Sequence, residues 1–164
     1  MGVTFSADEI FEMAEQIERN GAKFYRAAAK KLPQVRQMFL NLAAMEDEHE
    51  KTFAGMRSQL TGREQQPDVF DPEGEAQTYL RVMADGHVFD VKADPLEKMK
   101  GQQKPQDILQ IAIGIEKDSI AFYAGLKEFV SVKAGKDKVE AIINEEFGHI
   151  ATLQNNLAGL NYSN

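Results

Sequence analysis

Cysteine is absent from all 164 residues, which excludes disulfides, thiolate zinc sites, iron–sulfur clusters and a cysteine nucleophile within the chain. Any redox chemistry must therefore use nitrogen and oxygen ligands. No apolar run approaches the ~20 residues needed to span a bilayer, and the opening stretch MGVTFSADEIFEMAE lacks the basic-then-apolar layout of a signal peptide. A cytoplasmic protein without membrane contact is the expectation. Positive charge is also short: 19 Lys and Arg face 26 Asp and Glu, a formal net charge of −7. That balance argues against nucleic acid or an anionic membrane as partner, although carboxylates used as ligands inflate the count. With 43% hydrophobic residues, the chain has enough apolar material for one domain, residues 1–164, with a real core.

The chain repeats itself. Residues 17–25 read IERNGAKFY and residues 115–123 read IEKDSIAFY, an offset of 98 that aligns Glu18 with Glu116 and Tyr25 with Tyr123. Glu46-x-x-His49 and Glu146-x-x-His149 follow at an offset of 100. Glu18 precedes Glu46 by 28 positions and Glu116 precedes Glu146 by 30, so each half reads as a helical hairpin, about 6–60 and 105–159. Ser6 with Glu9 forms a capping box for the first helix, whose stripe runs Ile10, Met13, Ile17, Gly21, Phe24, Ala28 until Pro33 limits it. The second helix spans roughly 34–60 and stops at Thr61-Gly62. Pro105 opens the third, with stripe Ile108, Ile111, Ile115, Ser119, Phe122, Leu126; the fourth follows Lys133-Ala134-Gly135-Lys136 and ends near Gly159.

About 44 residues, 61–104, separate the hairpins, far more than antiparallel neighbours need. A connection that long crosses the bundle and makes the second and third helices parallel. Within it, Glu75 to Val88 reads as a shorter helix with Tyr79, Val82, Met83 and Val88 facing the bundle, and Pro67, Pro72 and Pro95 punctuate the rest. His87 is expected to be structural or exposed.

The second helix's stripe, Leu42, Glu46, His49, Phe53, Met56, Leu60, contains a carboxylate and an imidazole at core positions. The fourth repeats this with Val139, Ile142, Glu146, His149, Leu153, Leu157. Buried unpaired carboxylates are very costly, so matching interruptions call for a compensating cation. The three-residue spacing places Glu and His on one face, within reach of one centre. Glu18 and Glu116, at the edges of their stripes, can supply the remaining carboxylates. Four carboxylates against two divalent ions give a near-neutral cluster. Mixed oxygen and imidazole ligation suits iron first and manganese or a mixed pair second, whereas calcium, magnesium and structural zinc prefer other shells. Glutamates from two helices plus Glu-x-x-His from two others is the ligand pattern of di-iron carboxylate bundles. The neighbouring acids Asp47, Glu48, Glu50 and Glu145 should mostly face away from the stripes.

With IEKDSIAFY and NEEFGHIATL, the chain resembles the rubrerythrin family of the ferritin-like di-iron carboxylate superfamily over almost its whole length. The resemblance implies an all-α, ferritin-like four-helix bundle with a long crossover containing a short helix. It also implies that Glu46 and Glu146 bridge two metals, with Glu18 and His49 terminal at one and Glu116 and His149 at the other. Tyr25 and Tyr123 would then donate hydrogen bonds to ligating carboxylates. The implied activity is that of an oxidoreductase reacting a diferrous centre with hydrogen peroxide or dioxygen in oxidative-stress defence, as a homodimer.

Two departures modify that expectation. Full-length rubrerythrins carry a cysteine-rich rubredoxin module; this chain has no cysteine, so electrons must come from an external donor, rubredoxin-like or other. Rubrerythrins also usually place an extra glutamate where this chain has Ser119. The remaining four Glu and two His are similar to the ferroxidase centre of bacterioferritin, which makes a ferroxidase or iron-handling and storage protein the alternative. A noncatalytic bundle stabilised by metal is the second alternative.

Overall fold

A computed structural model describes residues 5–60, 73–84, 92–102 and 104–161 of the chain. Five α-helices account for most of them: α1 (Ala7–Lys31), α2 (Arg36–Ser58), α3 (Glu75–Ala84), α4 (Pro105–Phe129) and α5 (Lys136–Asn161). The capping box at the start of α1 forms as the sequence requires. The Ser6 hydroxyl accepts from the Glu9 amide at 3.2 Å, and Glu9 accepts from the Ser6 amide at 2.8 Å; together they satisfy two orphan donors of the first turn. Pro33 does not begin α2 directly. It opens a single 3-10 turn, Pro33–Val35, which redirects the chain before α2 starts. The α4–α5 turn closes at Gly135, whose φ of +108° is open to glycine, and where a Cβ would stand 2.8 Å from the Met56 Cε.

Helix directions follow from which residues meet. Arg57, late in α2, binds Asp8, early in α1, at 2.7 and 2.9 Å, so α1 and α2 are antiparallel. Glu18 and Tyr25 of α1 pair with Tyr123 and Glu116 of α4 in reversed order, so α1 and α4 are antiparallel as well. Helices α2 and α4 therefore run parallel, and only a long crossover can join them.

Within that crossover, α3 packs on α4 with Met83 buried as expected, but with Leu80 beside it in place of Val82. Leu80 and Met83 are buried, whereas Tyr79 is 40% exposed and Val82 51% exposed. A ten-residue helix with one principal partner buries one narrow stripe, and the Leu80 and Met83 pair, three residues apart, fills it. Tyr79 lies at the edge: its ring would be 2.5 Å from a Cβ at Gly125, and its hydroxyl donates to the Ala121 carbonyl at 2.7 Å. Val82 faces solvent. His87, Val88 and Thr61-Gly62 lie outside the described residues. A second 3-10 turn, Pro95–Met99, buries Met99 and is tied to α1 by Lys23 and Asp94 at 2.9 Å.

The apolar core divides in two. One cluster gathers Ile10, Phe11, Phe53, Met56, Leu80 and Phe122 at one end of the bundle, and the other gathers Phe24, Phe39, Leu42, Ile108, Leu109 and Leu153 at the other. Between them, at the middle of α1, α2, α4 and α5, lies a layer of buried polar side chains. The apolar ends shut water from that layer and lower its dielectric, which strengthens every electrostatic interaction within it.

Candidate metal centre

All six residues anticipated from the repeat occupy this polar layer. Glu18, Glu46, His49, Glu116, Glu146 and His149 are at most 3% exposed. Ligand atoms of Glu18, Glu46, His49 and Glu146 lie within 4.8 Å of one another, as do those of Glu46, Glu116, Glu146 and His149. The two groups share Glu46 and Glu146. The donor atoms therefore fall into two overlapping sets, each adding its own Glu and His to the shared pair. Helix geometry accounts for the convergence: Glu-x-x-His puts both side chains on one face of α2 or α5, and antiparallel packing of those helices brings the two pairs together in reversed order.

Both imidazoles point Nδ1 inward. His49 Nδ1 is 3.0 Å from Glu146 and 3.4 Å from Glu18. His149 Nδ1 is 2.8 Å from Glu146, 3.1 Å from Glu46 and 3.4 Å from Glu116. Despite these short separations, His49 Nδ1, His149 Nδ1, Glu18 Oε2, Glu46 Oε1 and both Glu146 oxygens make no aligned hydrogen bond among the described residues. Their lone pairs converge on common points rather than on each other. Leaving so many buried polar atoms unpaired is costly, and it is the donor set two divalent cations would satisfy.

The titration behaviour has the same origin. Burial pushes the Glu18 and Glu46 carboxyls up, and the Glu116 carboxyl to about 8, with repulsion from neighbouring carboxylates adding to it. For Glu146 burial pulls upward too, but His149 and His49 outweigh it and hold the carboxyl well below the usual range. Burial works against the charged imidazoles, yet Glu146 and Glu18 raise His49 to about 11, and Glu116 and Glu146 raise His149 to about 10. Without metal, then, protons on Glu116 and on the two imidazoles offset part of the charge that cations would offset.

Tyr25 and Tyr123 hold Glu116 and Glu18. Tyr25 donates its hydroxyl to Glu116 Oε1 and Tyr123 to Glu18 Oε1, each bond crossing between α1 and α4. The Glu18 carboxylate is thereby oriented with Oε1 occupied and Oε2 free. Burial, then the nearby carboxylates, keep both phenols protonated well above their ordinary range, so they remain donors at neutral pH.

Two contributors were not legible as site residues. Gly21 appeared only as a core position, but a Cβ there would stand 2.6 Å from Glu46 Oε2, so its missing side chain makes room for a shared carboxylate. Glu145 Oε2 lies 2.7 Å from the outward nitrogen of His49, although its own side chain is 52% exposed. No spacing rule reveals a contact with a residue 96 positions away on another helix. The remaining acids are engaged outside: Asp47 with Arg26, Glu50 with Arg19 at 2.9 Å and Glu48 with Lys51 at 2.6 Å.

A one-crossover four-helix bundle with four glutamates and two histidines buried between its apolar ends defines a ferritin-like carboxylate protein with a candidate dinuclear metal centre. The rubrerythrin family model matches residues 9–157, and the chain belongs to the rubrerythrin family. Among solved structures, it is similar to a protein of Thermotoga maritima provisionally described as a ferritin-like diiron-carboxylate protein. Identity is 26% and the TM-score 0.71, covering 94% of this chain and 96% of that one. No functionally curated protein matches significantly. Among the described residues, no helix is long and apolar enough to cross a membrane.

Proposed function

We propose that this protein is a di-iron oxidoreductase that reduces hydrogen peroxide or dioxygen in oxidative-stress defence. The observation that carries this reading is the convergence of unpaired, buried Glu and His atoms into two overlapping ligand groups. Glu46 and Glu146 would bridge the ions, Glu18 and His49 would complete one position, and Glu116 and His149 the other. Bound iron would supply the redox chemistry, one electron from each ion. The chain's own contribution is geometric and electrostatic. Its carboxylates offset the cationic charge, its apolar ends exclude water, and Tyr25 and Tyr123 hold the terminal glutamates in place. Reducing one peroxide to two waters takes two electrons and two protons; residues 1–164 hold no cysteine, so the electrons would come from a rubredoxin-like or other donor outside them. Action as a cytoplasmic homodimer completes the reading.

The test is anaerobic loading with ferrous ion, desalting, metal analysis and stopped-flow mixing with each oxidant. Two irons per chain are expected, with markedly fewer in His49→Ala, His149→Ala, and oxidation faster than that of free ferrous ion. Reaction with neither oxidant faster than free ferrous ion would sink the proposal.

Ser119 favours a second reading. Its hydroxyl donates to the Ile115 carbonyl at 3.1 Å and offers no carboxylate to the centre, which leaves the four-Glu, two-His set suited to a ferroxidase or iron-handling protein. Ferric iron retained in a large particle after oxidation, rather than turnover with a donor, would select it.

A further inference from the structure

The two halves of the centre are related by the repeat, but their histidines are not held alike. His49 has Nδ1 facing the ligand cluster and Nε2 at 2.7 Å from Glu145 Oε2. A carboxylate oxygen at that distance accepts the Nε2 proton's hydrogen bond, which leaves the Nδ1 lone pair for a metal. His149 has the same inward Nδ1, but its Nε2 is buried and has no hydrogen-bond partner among the described residues. The sequence differs between the halves at one neighbouring place. Glu145 immediately precedes Glu146; the residue immediately preceding Glu46, at the repeat-related place, is Met45. A thioether is at best a weak acceptor and cannot anchor an imidazole N–H. Glu145 also lines an open groove of about 510 Å³ between α2 and α5, together with Glu48, His49, Thr52 and Lys138.

We propose that Glu145 is a positioning residue for His49 and that, with Met45 opposite, it makes the two metal positions unequal. The position formed by Glu18, Glu46, His49 and Glu146 binds its ion first and more tightly than the one formed by Glu46, Glu116, Glu146 and His149. The inference rests on the dinuclear reading above and adds an order of filling to it. A carboxylate behind a metal-binding histidine fixes its tautomer and ring orientation and raises its basicity, and losing such a partner typically lowers metal affinity about 10- to 100-fold. His49 has this support and His149 lacks it.

The test is an anaerobic titration of the full chain with Co²⁺, followed by calorimetry and by proton NMR of the hyperfine-shifted ligand resonances. Two resolved steps are expected in the wild type, with dissociation constants at least about tenfold apart. At one equivalent, a slowly exchanging, hyperfine-shifted ring N–H from His49 should be visible. Glu145→Ala should weaken the first step about tenfold or more and abolish that protected N–H signal. Glu145→Gln, which keeps an oxygen acceptor, should recover part of both. Met45→Glu should strengthen the second step and draw the constants together. Glu145 is half exposed, so metal-free Glu145→Ala should still fold and melt cooperatively, at a temperature lowered by loss of its contact to His49; circular dichroism of the metal-free variant and the partial recovery in Glu145→Gln separate positioning from misfolding. Two equal steps in the wild type, a first ion at His149, or unchanged constants in Glu145→Ala would each overturn the inequality while leaving the dinuclear centre intact. Absence of any Co²⁺ binding would overturn the centre itself.

Discussion

Tyr123 on α4 donates its hydroxyl to Glu18 on α1, two residues 105 positions apart in the chain, and both are fully buried. With its repeat-related counterpart from Tyr25 to Glu116, this bond locks the two hairpins together at the level of the candidate metals. Tyr123→Phe would leave Glu18 Oε1 buried without a donor. An unsatisfied buried acceptor costs about 1–3 kcal/mol, so the metal-free variant should unfold at lower denaturant concentration. Metal titration of the same variant should show about tenfold weaker binding, the usual effect of removing a group that orients a ligand. Unchanged values in both experiments would mean the tyrosines only pack.

Gly21→Ala separates helix propensity from site geometry. In an exposed helix interior, Gly to Ala normally stabilises by up to ~1 kcal/mol, and Gly55→Ala, with nothing within 4 Å of its Cβ, should show that gain. At Gly21 the added methyl would stand 2.6 Å from Glu46 Oε2 and must displace it. Metal retained after desalting should fall well below that of the wild type, while Gly55→Ala retains the full complement.

Metal binding should release protons and strengthen as pH rises. In the metal-free protein His49 titrates at about 11, His149 at about 10 and Glu116 at about 8, so all three carry protons at pH 7. A divalent ion must displace those protons, and its affinity should therefore drop on going from pH 8 to pH 6. Calorimetry in two buffers of different ionisation enthalpy would count the protons released; near zero at pH 7 would contradict the reading. Metal-free stability should show the opposite slope. These groups have folded-state values raised above their ordinary ones, so their stabilisation is present at low pH and is lost as pH rises through about 8 to 11. Between pH 6.5 and 10 the metal-free protein should melt progressively earlier, and loading metal should suppress the trend.

Leu80 and Val82 test which face of α3 carries the crossover. Leu80 is fully buried against α4, and Val82 is 51% exposed. Leu80→Ala should cost about 2–5 kcal/mol by loss of transfer energy and creation of a cavity, whereas Val82→Ala should stay within about 0.5 kcal/mol. Denaturant unfolding of both variants decides it; equal costs would mean α3 is seated differently.

The repeat, the helix boundaries and the six residues of the centre were legible because they rest on local spacing. A capping box, a three-residue Glu–His interval and an apolar stripe interrupted at the same place twice are consequences of 3.6 residues per turn, and the chain alone carries them. The crossover length likewise imposed parallel α2 and α4, since a connection of that size cannot be a tight hairpin. On α3 the spacing identifies Met83 but not Leu80, because a short apolar run offers several neighbouring faces; contact with α4 buries Leu80 and leaves Val82 in solvent. Gly21 and Glu145 were invisible as site residues for a related reason: their roles exist only where another helix arrives, at Glu46 Oε2 and at His49 Nε2. The sequence by itself determined which candidate ligands exist and on which helical faces they stand. Tertiary packing decided which atoms meet, which nitrogen of each histidine faces inward, and that one histidine is braced by a carboxylate while its twin is not. Helical periodicity is a property of a single segment, whereas orientation inside a buried site is set by contacts between segments far apart in the chain.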